Sequence, residues 1–441
     1  MVIETRPGEG EQKKTTARKT TETARKVRPL VKMMYSRAHE AKAQGKLVAY
    51  GMVGSQYDEI LRAMDIYPIW TENYAGLCAA KRVAEPYLLK AEADGYSNVI
   101  CGYVRAGLGF DAMRRELGAI PEGAPDGGMA EPDLMLGSSY ACDPRFKWFQ
   151  ALGHYKDTPI FSHDVLMPPV DANLAQVKDY YIDYLADELK CLVEFLEGRT
   201  GKKLDRDRLW EVIRLSDETE RLWWECYQLR KAVPCPMPSE DHFNTFVPGF
   251  FIRGTPEALQ FYKELLEELK LRVANKMGVI PDEKYRLMWA GGLPPWHTMW
   301  MFNYFEDMGA VFVIDSSYRP FEPVEVPASV TDPLEYLAHR CFLRWTYRFE
   351  KARKNSGNAD VELLLEMVRD YKVNGMVMHA TRSCRATTIG QLHLKNLVQQ
   401  YVKIPGLQLI SDIIDVRDYS EAQWKMQMNA FMETVAAQKK N

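Results

Sequence analysis

Two stretches of the chain alternate short apolar runs with amphipathic segments. Between residues 47 and 165, five runs have the length and apolar character of strands: KLVAYG, IYPIW, YSNVI, PDLMLGS and TPIFSH. Segments with apolar residues at helical spacing, such as RFKWFQALGHY, stand between them. After residue 284 the alternation returns, with predicted strands YRLMWAG, AVFVID, GMVMHA and LQLIS. Strands that alternate with helices predict parallel sheets covered by helices on both faces, so we expect two α/β domains.

The remaining parts of the chain have different patterns. Long charged amphipathic stretches, among them DRDRLWEVIRLSDETERLWWECYQLRK, predict a helical region between the two domains. The N-terminal residues are polar and rich in threonine and lysine, so they have little to bury. We therefore predict a mobile basic arm at 1–28, a first α/β domain at 29–170, a helical bridging region at 171–280 and a second α/β domain at 281–441. The arm is expected to be dispensable for folding.

Composition narrows the range of partners. The chain has 441 residues, of which 46% are apolar and 27% charged, and its net charge is -3. This balance gives no reason to expect nucleic acid or an anionic membrane as the main partner. No apolar run approaches the roughly 20 residues of a membrane helix, and the N-terminus has no apolar core of a secretory signal. We expect a cytoplasmic protein with reduced thiols.

The eight cysteines fall into groups. None forms a CxxC pair, so zinc-ribbon and thioredoxin-like sites are not predicted. Cys191 and Cys226 lie in amphipathic helical segments, where a packed structural thiol is expected. Cys101, Cys142 and Cys384 instead each follow a predicted strand and precede a predicted helix.

Residues beyond the carboxyl ends of parallel strands meet in one crevice. Cys101, Cys142 and Cys384 are therefore expected to converge between the two domains. A helix N-terminus stabilises a thiolate, and thiolates bind soft metals. An iron–sulfur cubane normally takes four cysteines, so three would leave one iron with an exchangeable site. The alternative is that the three are unrelated thiols in turns.

Several stretches resemble one known family, and the likeness covers nearly the whole chain after the arm. SSYACDPRFKWFQAL, GRTGKKLDRDRLWEVIRLSDE, FIRGTPEALQFYKEL and MHATRSCRATTIGQL are similar to the benzoyl-CoA reductase and 2-hydroxyacyl-CoA dehydratase family. The resemblance implies two flavodoxin-like domains with a helical segment between them. It also implies one 4Fe-4S cluster held by three cysteines, with one open iron site. The positions that match the family's ligands are Cys101, Cys142 and Cys384.

The resemblance also implies partners. They are a homologous second cluster-bearing subunit and an ATP-hydrolysing iron–sulfur activator that delivers electrons. The chain has no GxxxxGK[ST] phosphate loop, since GRTGKKL lacks the spacing and the hydroxyl residue, so ATP is expected to be hydrolysed elsewhere. The glycine groups GLG and WAGG predict turns rather than dinucleotide sites, and no NAD or flavin is expected.

The sequence separates the reductase and dehydratase branches of the family poorly. The long arm, the inserted PEGAPDGGMAEP and the tryptophan-rich strand ends favour an aromatic acyl-CoA (benzoyl-CoA) reductase. A subunit of a 2-hydroxyacyl-CoA dehydratase is the first alternative. A non-catalytic small-molecule-binding or cluster scaffold protein with the same architecture is the second.

Ring reduction needs a dry pocket and a positioned proton donor. Six aromatic residues near predicted strand ends are candidates for the pocket walls, although core packing is an alternative for each: Trp70, Tyr74, Tyr103, Tyr140, Trp289 and Trp296. By the family resemblance, Glu72 and Ser55 match positions near the substrate. The alternatives are a capping or solvated carboxylate for Glu72 and a helix N-cap for Ser55.

Further polar residues near the strand ends have simpler explanations. His163 and His379 are expected to be hydrogen-bonded core residues and are not candidates for catalysis. Arg382 and Arg385 are candidates to contact the coenzyme A phosphates or to offset cluster charge, or else are solvated.

Overall fold

The computed structural model describes residues 16–54 and 57–440 and contains two four-stranded parallel sheets. The first sheet has the order β2-β1-β3-β4 and the second β6-β5-β7-β8. The strands of the first sheet are β1 (Val48–Gly51), β2 (Tyr67–Trp70), β3 (Leu134–Ser138) and β4 (Ile160–His163). Those of the second are β5 (Tyr285–Ala290), β6 (Ala310–Asp315), β7 (Gly375–Thr381) and β8 (Gly406–Ser411). The predicted α/β class with two parallel-sheet domains is confirmed.

The strands form where the apolar runs are continuous. Every residue of β3, β6 and β7 is buried, because helices cover both faces of a parallel sheet. The edge strands β4 and β8 are only partly buried. Both sheets repeat one order, in which the first strand pairs with the second and the third. The chain connections on the two sides of each sheet therefore run in opposite directions, and they part between β1 and β3 in one sheet and between β5 and β7 in the other. In open parallel sheets, ligands bind beyond the carboxyl ends of the strands at this point.

Helices cover both sheets and fill the middle of the chain. In the N-terminal segment and first domain they are α1 (Glu22–Arg25), α2 (Val27–Ala43), α3 (Asp58–Ala63), α4 (Thr71–Ala80), α5 (Glu85–Ala93), α6 (Gly102–Leu117) and α7 (Asp143–Gly153). The middle contains α8 (Leu174–Thr200), α9 (Arg206–Leu229), α10 (Ser239–Phe251) and α11 (Pro256–Ala274). The rest are α12 (Trp300–Asp307), α13 (Pro333–Thr346), α14 (Phe349–Lys354), α15 (Ala359–Asp370), α16 (Arg385–Thr388), α17 (Gln391–Val402) and α18 (Glu421–Lys440). No helix in the described part of the chain is both long and apolar enough to span a membrane.

Local sequence explains where several helices begin. Asp205, Thr255 and Asn358 precede α9, α11 and α15, and each side-chain oxygen accepts a hydrogen bond from a backbone N–H of the first turn. Proline directly follows Thr255, at the first helical position, where its missing N–H costs nothing.

One predicted strand is absent from the first sheet. The segment YSNVI, residues 96–100, was expected to be a strand but forms a turn and bend between α5 and α6. Ser97 and Asn98 favour turns, and Val99 is 73% exposed, so it has no neighbouring strand or core to pack on. The β-branched residues of this segment were therefore a misleading signal.

The glycines of GLG lie inside helix α6 rather than in a turn. A Cβ atom on Gly107 would lie 1.9 Å from a ring carbon of Trp148, and one on Gly109 would lie 1.8 Å from the Tyr87 carbonyl oxygen. Both glycines therefore allow neighbouring helices to approach α6 closely. The expectation of a turn at GLG was wrong.

The helices between the two sheets contact both domains. At the end of α9, Arg230 donates a hydrogen bond of 2.9 Å to Asp315, at the end of β6. Just after α10, Arg253 donates one of 3.0 Å to Asp58, at the start of α3. All four side chains are buried. This helical region therefore holds the two sheets in a fixed relation.

The N-terminal segment differs from the expected mobile arm. Within residues 16–28, Thr20 and Thr21 donate backbone hydrogen bonds of 3.1 and 2.7 Å to the Asp241 carboxylate. The backbone N–H of Thr23 donates to Glu268 at 2.8 Å, and Val27 is buried in the core. Because a fixed carboxylate accepts these N–H groups, residues 16–28 are ordered against the helical region. These contacts differ from those of the mobile arm predicted at 1–28, and the expectation that the arm is dispensable for folding stays a prediction.

Candidate functional site

A cavity of about 360 Å³ lies where the carboxyl edges of the two sheets face each other. The loop after β3, the loop after β6, the start of α6 and the end of α10 contribute its walls. Cys101, Cys142 and Cys384 all line it, and so does Glu72. Four of the five residues predicted to form the site are thus gathered around one space. Ser55 lies outside the described residues, although Gly54, which precedes it, lines the cavity.

Each of the three cysteines directly precedes a helix. Cys101 stands before α6, Cys142 before α7 and Cys384 before α16. Cys142 and Cys384 also share a topological position, because each follows the third strand of its own sheet. Cys101 does not follow a strand, contrary to expectation, since the segment before it is the turn at 96–100.

A contact between the domains brings Cys101 next to Cys384. The backbone N–H of Gly102 donates a hydrogen bond of 3.1 Å to the hydroxyl of Ser383, which in turn donates to Asp412. A Cβ atom on Gly102 would lie 2.5 Å from the Asp412 carboxylate, so only glycine permits this approach. The loops that bear Cys101 and Cys384 are therefore fixed against each other.

Burial acts on the thiols more strongly than the helix N-termini do. It raises the pKa of Cys101, and the nearby Cys384 raises it further. It also raises the pKa of Cys142 to about 11, with a further contribution from the Glu72 carboxylate. The backbone N–H groups of Val104 and Arg145 act in the opposite direction but do not prevail. The expected lowering of these pKa values was wrong, and a metal that binds here must displace protons from both thiols.

The donor set suits an iron–sulfur cluster better than a single ion. Within residues 16–54 and 57–440, no group of three or more His, Cys, Asp or Glu side chains is placed to hold a metal ion. A cubane has a different requirement, because each thiolate binds a separate iron at a separate corner. Three soft sulfur donors around one cavity fit this requirement, and the cluster itself would supply low-potential electron chemistry when bound.

The Glu72 carboxylate is held in place at the cavity wall. It accepts a hydrogen bond of 2.9 Å from the backbone N–H of Val53 and one of 3.2 Å from the Arg145 guanidinium. Arg145 is buried, and it also donates to the carbonyl oxygens of Tyr140 and Val53. Glu72 lies in the first turn of α4 and its side chain is 15% exposed. It is thus a fixed carboxylate rather than a solvated one.

The aromatic candidates separate into cavity and core. Tyr103 and Tyr140 line the cavity. Trp296 stands directly behind Tyr103 and donates a hydrogen bond of 2.6 Å to its hydroxyl. The other three are at most 1% exposed and belong to the core: Trp70, Tyr74 and Trp289.

Several wall residues were not predicted from the sequence. Tyr318, Phe321, Trp345 and Arg253 all line the cavity. Tyr318 had a usable signal, because it follows the predicted strand AVFVID within the next three residues. Phe321 lies farther along the same loop, and neither Arg253 nor Trp345 follows a predicted strand, so the pattern of the chain did not indicate these three.

The remaining polar candidates lie elsewhere. His163 and His379 are buried, burial lowers the pKa of each to about 4, and neither lines the cavity. His379 is bonded to the Leu293 carbonyl and the Ser411 hydroxyl, as expected for a core histidine. Arg382 is exposed and bonded to Asp418, and Arg385 is exposed beside Cys384.

The five other cysteines do not line this cavity. Cys78, Cys226, Cys235 and Cys341 are buried, whereas Cys191 is exposed. On α8 the buried stripe includes Leu189 and Leu192, and Cys191 lies beside that stripe on the solvent side. The packed position expected for Cys226 is confirmed, and that expected for Cys191 was wrong.

The fold and site together define a class: a two-domain α/β protein with a thiol-lined cavity between its parallel sheets. Residues 57–435 match the family model described as 2-hydroxyglutaryl-CoA dehydratase, D-component, so the chain belongs to this family. The predicted family relationship is confirmed.

Individual relatives come from both branches of the family. A benzoyl-CoA reductase subunit of Thauera aromatica is 27% identical over 91% of this chain and 91% of its own length. The (R)-phenyllactyl-CoA dehydratase alpha subunit of Clostridium sporogenes is 26% identical over 91% of this chain and 93% of its own length. The (R)-2-hydroxyisocaproyl-CoA dehydratase alpha subunit of Clostridioides difficile is 25% identical over 94% of this chain and 96% of its own length. The chain is thus similar, along almost its whole length, to subunits of enzymes that are named for acyl-CoA thioesters.

Proposed function

We propose that this chain is the iron–sulfur subunit of an ATP-dependent aromatic acyl-CoA reductase, which reduces the ring of benzoyl-CoA to a cyclic dienoyl-CoA. The observation that carries the proposal is the set of three thiols around one cavity of about 360 Å³ with aromatic walls. A cavity of this size suits an acyl group rather than a whole coenzyme. Aromatic walls limit the access of water to a reactive ring.

The residues around the cavity have distinct proposed roles. Cys101, Cys142 and Cys384 hold one 4Fe-4S cluster and leave one iron open. Glu72 exchanges a proton with the substrate, for which its bonds to Val53 and Arg145 hold it in a fixed position. Ser55 is proposed as a second polar group near the substrate.

The proposal includes partners. Several relatives are named as subunits, which supports a homologous second cluster-bearing subunit for this chain. Since the sequence has no ATP-binding phosphate loop, an ATP-hydrolysing iron–sulfur activator would deliver the electrons. The proposed location is the cytoplasm, where thiols remain reduced. Neither nucleic acid nor a membrane is a proposed partner.

A 2-hydroxyacyl-CoA dehydratase subunit is the second candidate function. Relatives from the two branches differ by only one percentage point of identity, 27% against 26%, over equal shares of this chain. The same cysteines and cavity would serve either reaction. The aromatic wall residues Tyr140, Phe321 and Trp345 favour an aromatic acyl group, although phenyllactyl-CoA also carries one.

Anaerobic purification followed by two assays tests the proposal. We expect a brown protein with about four irons per chain. With its partner subunit, the activator and ATP, it should consume benzoyl-CoA and leave 2-hydroxyacyl-CoA thioesters unchanged. Consumption of the 2-hydroxyacyl thioesters alone would establish the dehydratase instead. A colourless, iron-free protein that is folded and binds ligand would support the scaffold protein and contradict both enzymes.

A further inference from the structure

Tyr318 occupies an unusual backbone position at the cavity wall. It follows β6 in the loop SSYRP, and its φ of 52° lies in the left-handed region that large side chains rarely adopt. Such conformations are strained and persist where the surrounding structure enforces them, often at functional sites. The strained residue here directs its ring to the cavity that the three thiols share.

Aromatic packing holds the Tyr318 ring in one orientation. The ring stacks on Phe246 with centroids 4.5 Å apart and contacts Phe250 edge-on at 5.7 Å. Trp296 lies 6.0 Å away on another side. Because these neighbours come from α10 and from the segment before α12, both the helical region and the second domain fix the hydroxyl.

A chain of hydrogen bonds determines where the Tyr318 proton points. The indole N–H of Trp296 can only donate, and it donates to the Tyr103 hydroxyl oxygen at 2.6 Å. That hydroxyl lies 3.4 Å from the hydroxyl of Tyr318. An oxygen that already accepts a hydrogen bond becomes a better donor, which favours Tyr103 as the donor to Tyr318.

The proton of Tyr318 itself is then available to the cavity. Within the described part of the chain, Tyr103 is the one hydrogen-bond partner of the Tyr318 hydroxyl. Burial raises the pKa of Tyr318, and the neighbouring Glu72 carboxylate raises it further, while Arg145 opposes them. The hydroxyl therefore keeps its proton across the physiological range of pH.

We propose that the Tyr318 hydroxyl donates a hydrogen bond to the carbonyl oxygen of a thioester bound in this cavity. The inference rests on the proposed function, in either of its two branches. An electron added to a thioester enters the carbonyl system, and negative charge collects on the oxygen because it is the most electronegative atom there. A donor that is already oriented stabilises that charge without reorganisation, as the donors of an oxyanion hole do.

Infrared spectroscopy of a labelled thioester tests this contact without turnover. The probe is benzoyl-CoA with ¹³C at the thioester carbonyl, bound to the anaerobically purified oxidised protein; a 2-hydroxyacyl-CoA labelled in the same way forms a second arm. A hydrogen bond lowers the carbonyl stretching frequency. In wild-type protein the band should lie below that of the same thioester in an apolar solvent, and in Tyr318→Phe it should return towards that value.

Tyr318→Phe keeps the ring and its stacking, so the iron content should not change. We expect about tenfold weaker thioester binding, which corresponds to about 1.4 kcal/mol, near the net free energy of one neutral hydrogen bond. Tyr304→Phe is the matched control, because it removes an exposed tyrosine hydroxyl that is bonded to Asn429 and does not line the cavity. The control should leave both the band and the affinity unchanged.

The outcomes separate the two proposals. Binding with the same band in wild-type and Tyr318→Phe proteins overturns the assignment of Tyr318 and leaves the proposed function standing. If the carbonyl band of the wild-type complex lies at the value found in an apolar solvent, the assignment of Tyr318 is also overturned and the proposed function still stands. This outcome needs no result from the variant. If neither thioester binds, the proposed function fails and the role of Tyr318 fails with it.

Discussion

Cys142 and Cys384 are corresponding residues of two similar domains. Each stands after the third strand of its sheet and before a helix. Cys101 reaches the same cavity by another route, from a turn whose helix contacts Ser383 of the second domain. The proposed ligand set therefore joins both domains, and its integrity depends on how they are held together.

Substitution of Cys384 tests the cluster site directly. Serine is nearly isosteric with cysteine, but its hydroxyl is a harder and far less acidic ligand. In Cys384→Ser we expect iron to fall well below the roughly four atoms per chain of the intact cluster, and ATP-driven turnover to fall to background. Iron analysis and spectra of the dithionite-reduced protein measure this.

Cys191→Ser is the matched control for that experiment. Cys191 is exposed on α8 and does not line the cavity, so its replacement should preserve both iron and activity. Full iron content in Cys384→Ser would rule out Cys384 as a ligand. Loss of iron in the control alone would place the cluster elsewhere.

Among the helices, α10 and α12 meet through a buried pair of carboxyl groups. Glu240 and Glu306 are 1% and 7% exposed. Burial raises the pKa of both, and for Glu240 the proximity of Glu306 raises it further. Arg18 of the N-terminal segment lies 3.3 Å from Glu306 and partly offsets the charge. The contact between these helices is therefore most favourable when the pair retains a proton.

The pair predicts a loss of stability as pH rises. Both carboxyls have raised pKa values in the folded state, so that state binds more protons than the unfolded chain above about pH 4.5. Stability should fall from there until the folded pKa is passed. Glu240→Gln keeps a hydrogen-bonding side chain without the charge, so the slope of Tm against pH should become smaller.

Thermal melts of both proteins from pH 5 to pH 8 measure this slope. Glu211→Gln serves as the control, because Glu211 is an exposed partner of Arg208 on α9 and its pair contributes little. An unchanged slope in Glu240→Gln would show that the carboxyl pair does not titrate in this range.

Across the whole molecule, a buried ion network joins the first domain, the helical region and α13. Arg340 on α13 donates a hydrogen bond of 2.6 Å to Glu59 on α3 and one of 2.7 Å to Asp217 on α9. Arg253 joins the same network through Glu59, whose carboxylate lies 3.6 Å from the Arg253 guanidinium, and it also lines the cavity. Because the cavity wall is part of this network, the relative position of the elements around the site depends on it.

Removal of Arg340 should destabilise the molecule strongly. Arg340→Met keeps much of the side-chain volume but leaves Glu59 buried without its closest cation. Breaking a buried pair in this way costs about 3–5 kcal/mol. The exposed Arg221, paired with Glu218 at 2.7 Å, provides the control, since Arg221→Met should cost about 1 kcal/mol or less. Urea unfolding measures the loss in free energy of unfolding for each variant. Equal losses in Arg340→Met and Arg221→Met would contradict a central role for the network.

Local patterns in the sequence predicted the strands of both sheets and the positions of the site cysteines. Continuous apolar runs predicted all eight strands, because a strand buried on both faces needs apolar residues at every position. The positions of Cys142 and Cys384 after such runs predicted that they would meet at the carboxyl edges. Cys101 was expected to join them because it follows YSNVI, and the family resemblance indicated Cys101 as well as Glu72; both residues line the cavity.

Contacts between distant segments decided the rest. YSNVI forms a turn because Ser97 and Asn98 favour turns and Val99 is exposed, although its β-branched residues favour a strand. Residues 16–28 are ordered because Asp241, more than 200 positions away, accepts the N–H groups of Thr20 and Thr21. The burial that raises the thiol pKa values, and the Trp296–Tyr103 hydrogen bond that orients Tyr318, likewise exist only once the two domains have closed on each other. Apolar periodicity reports which face of an element is buried, whereas the partner of each polar group is set by the packing of the whole chain.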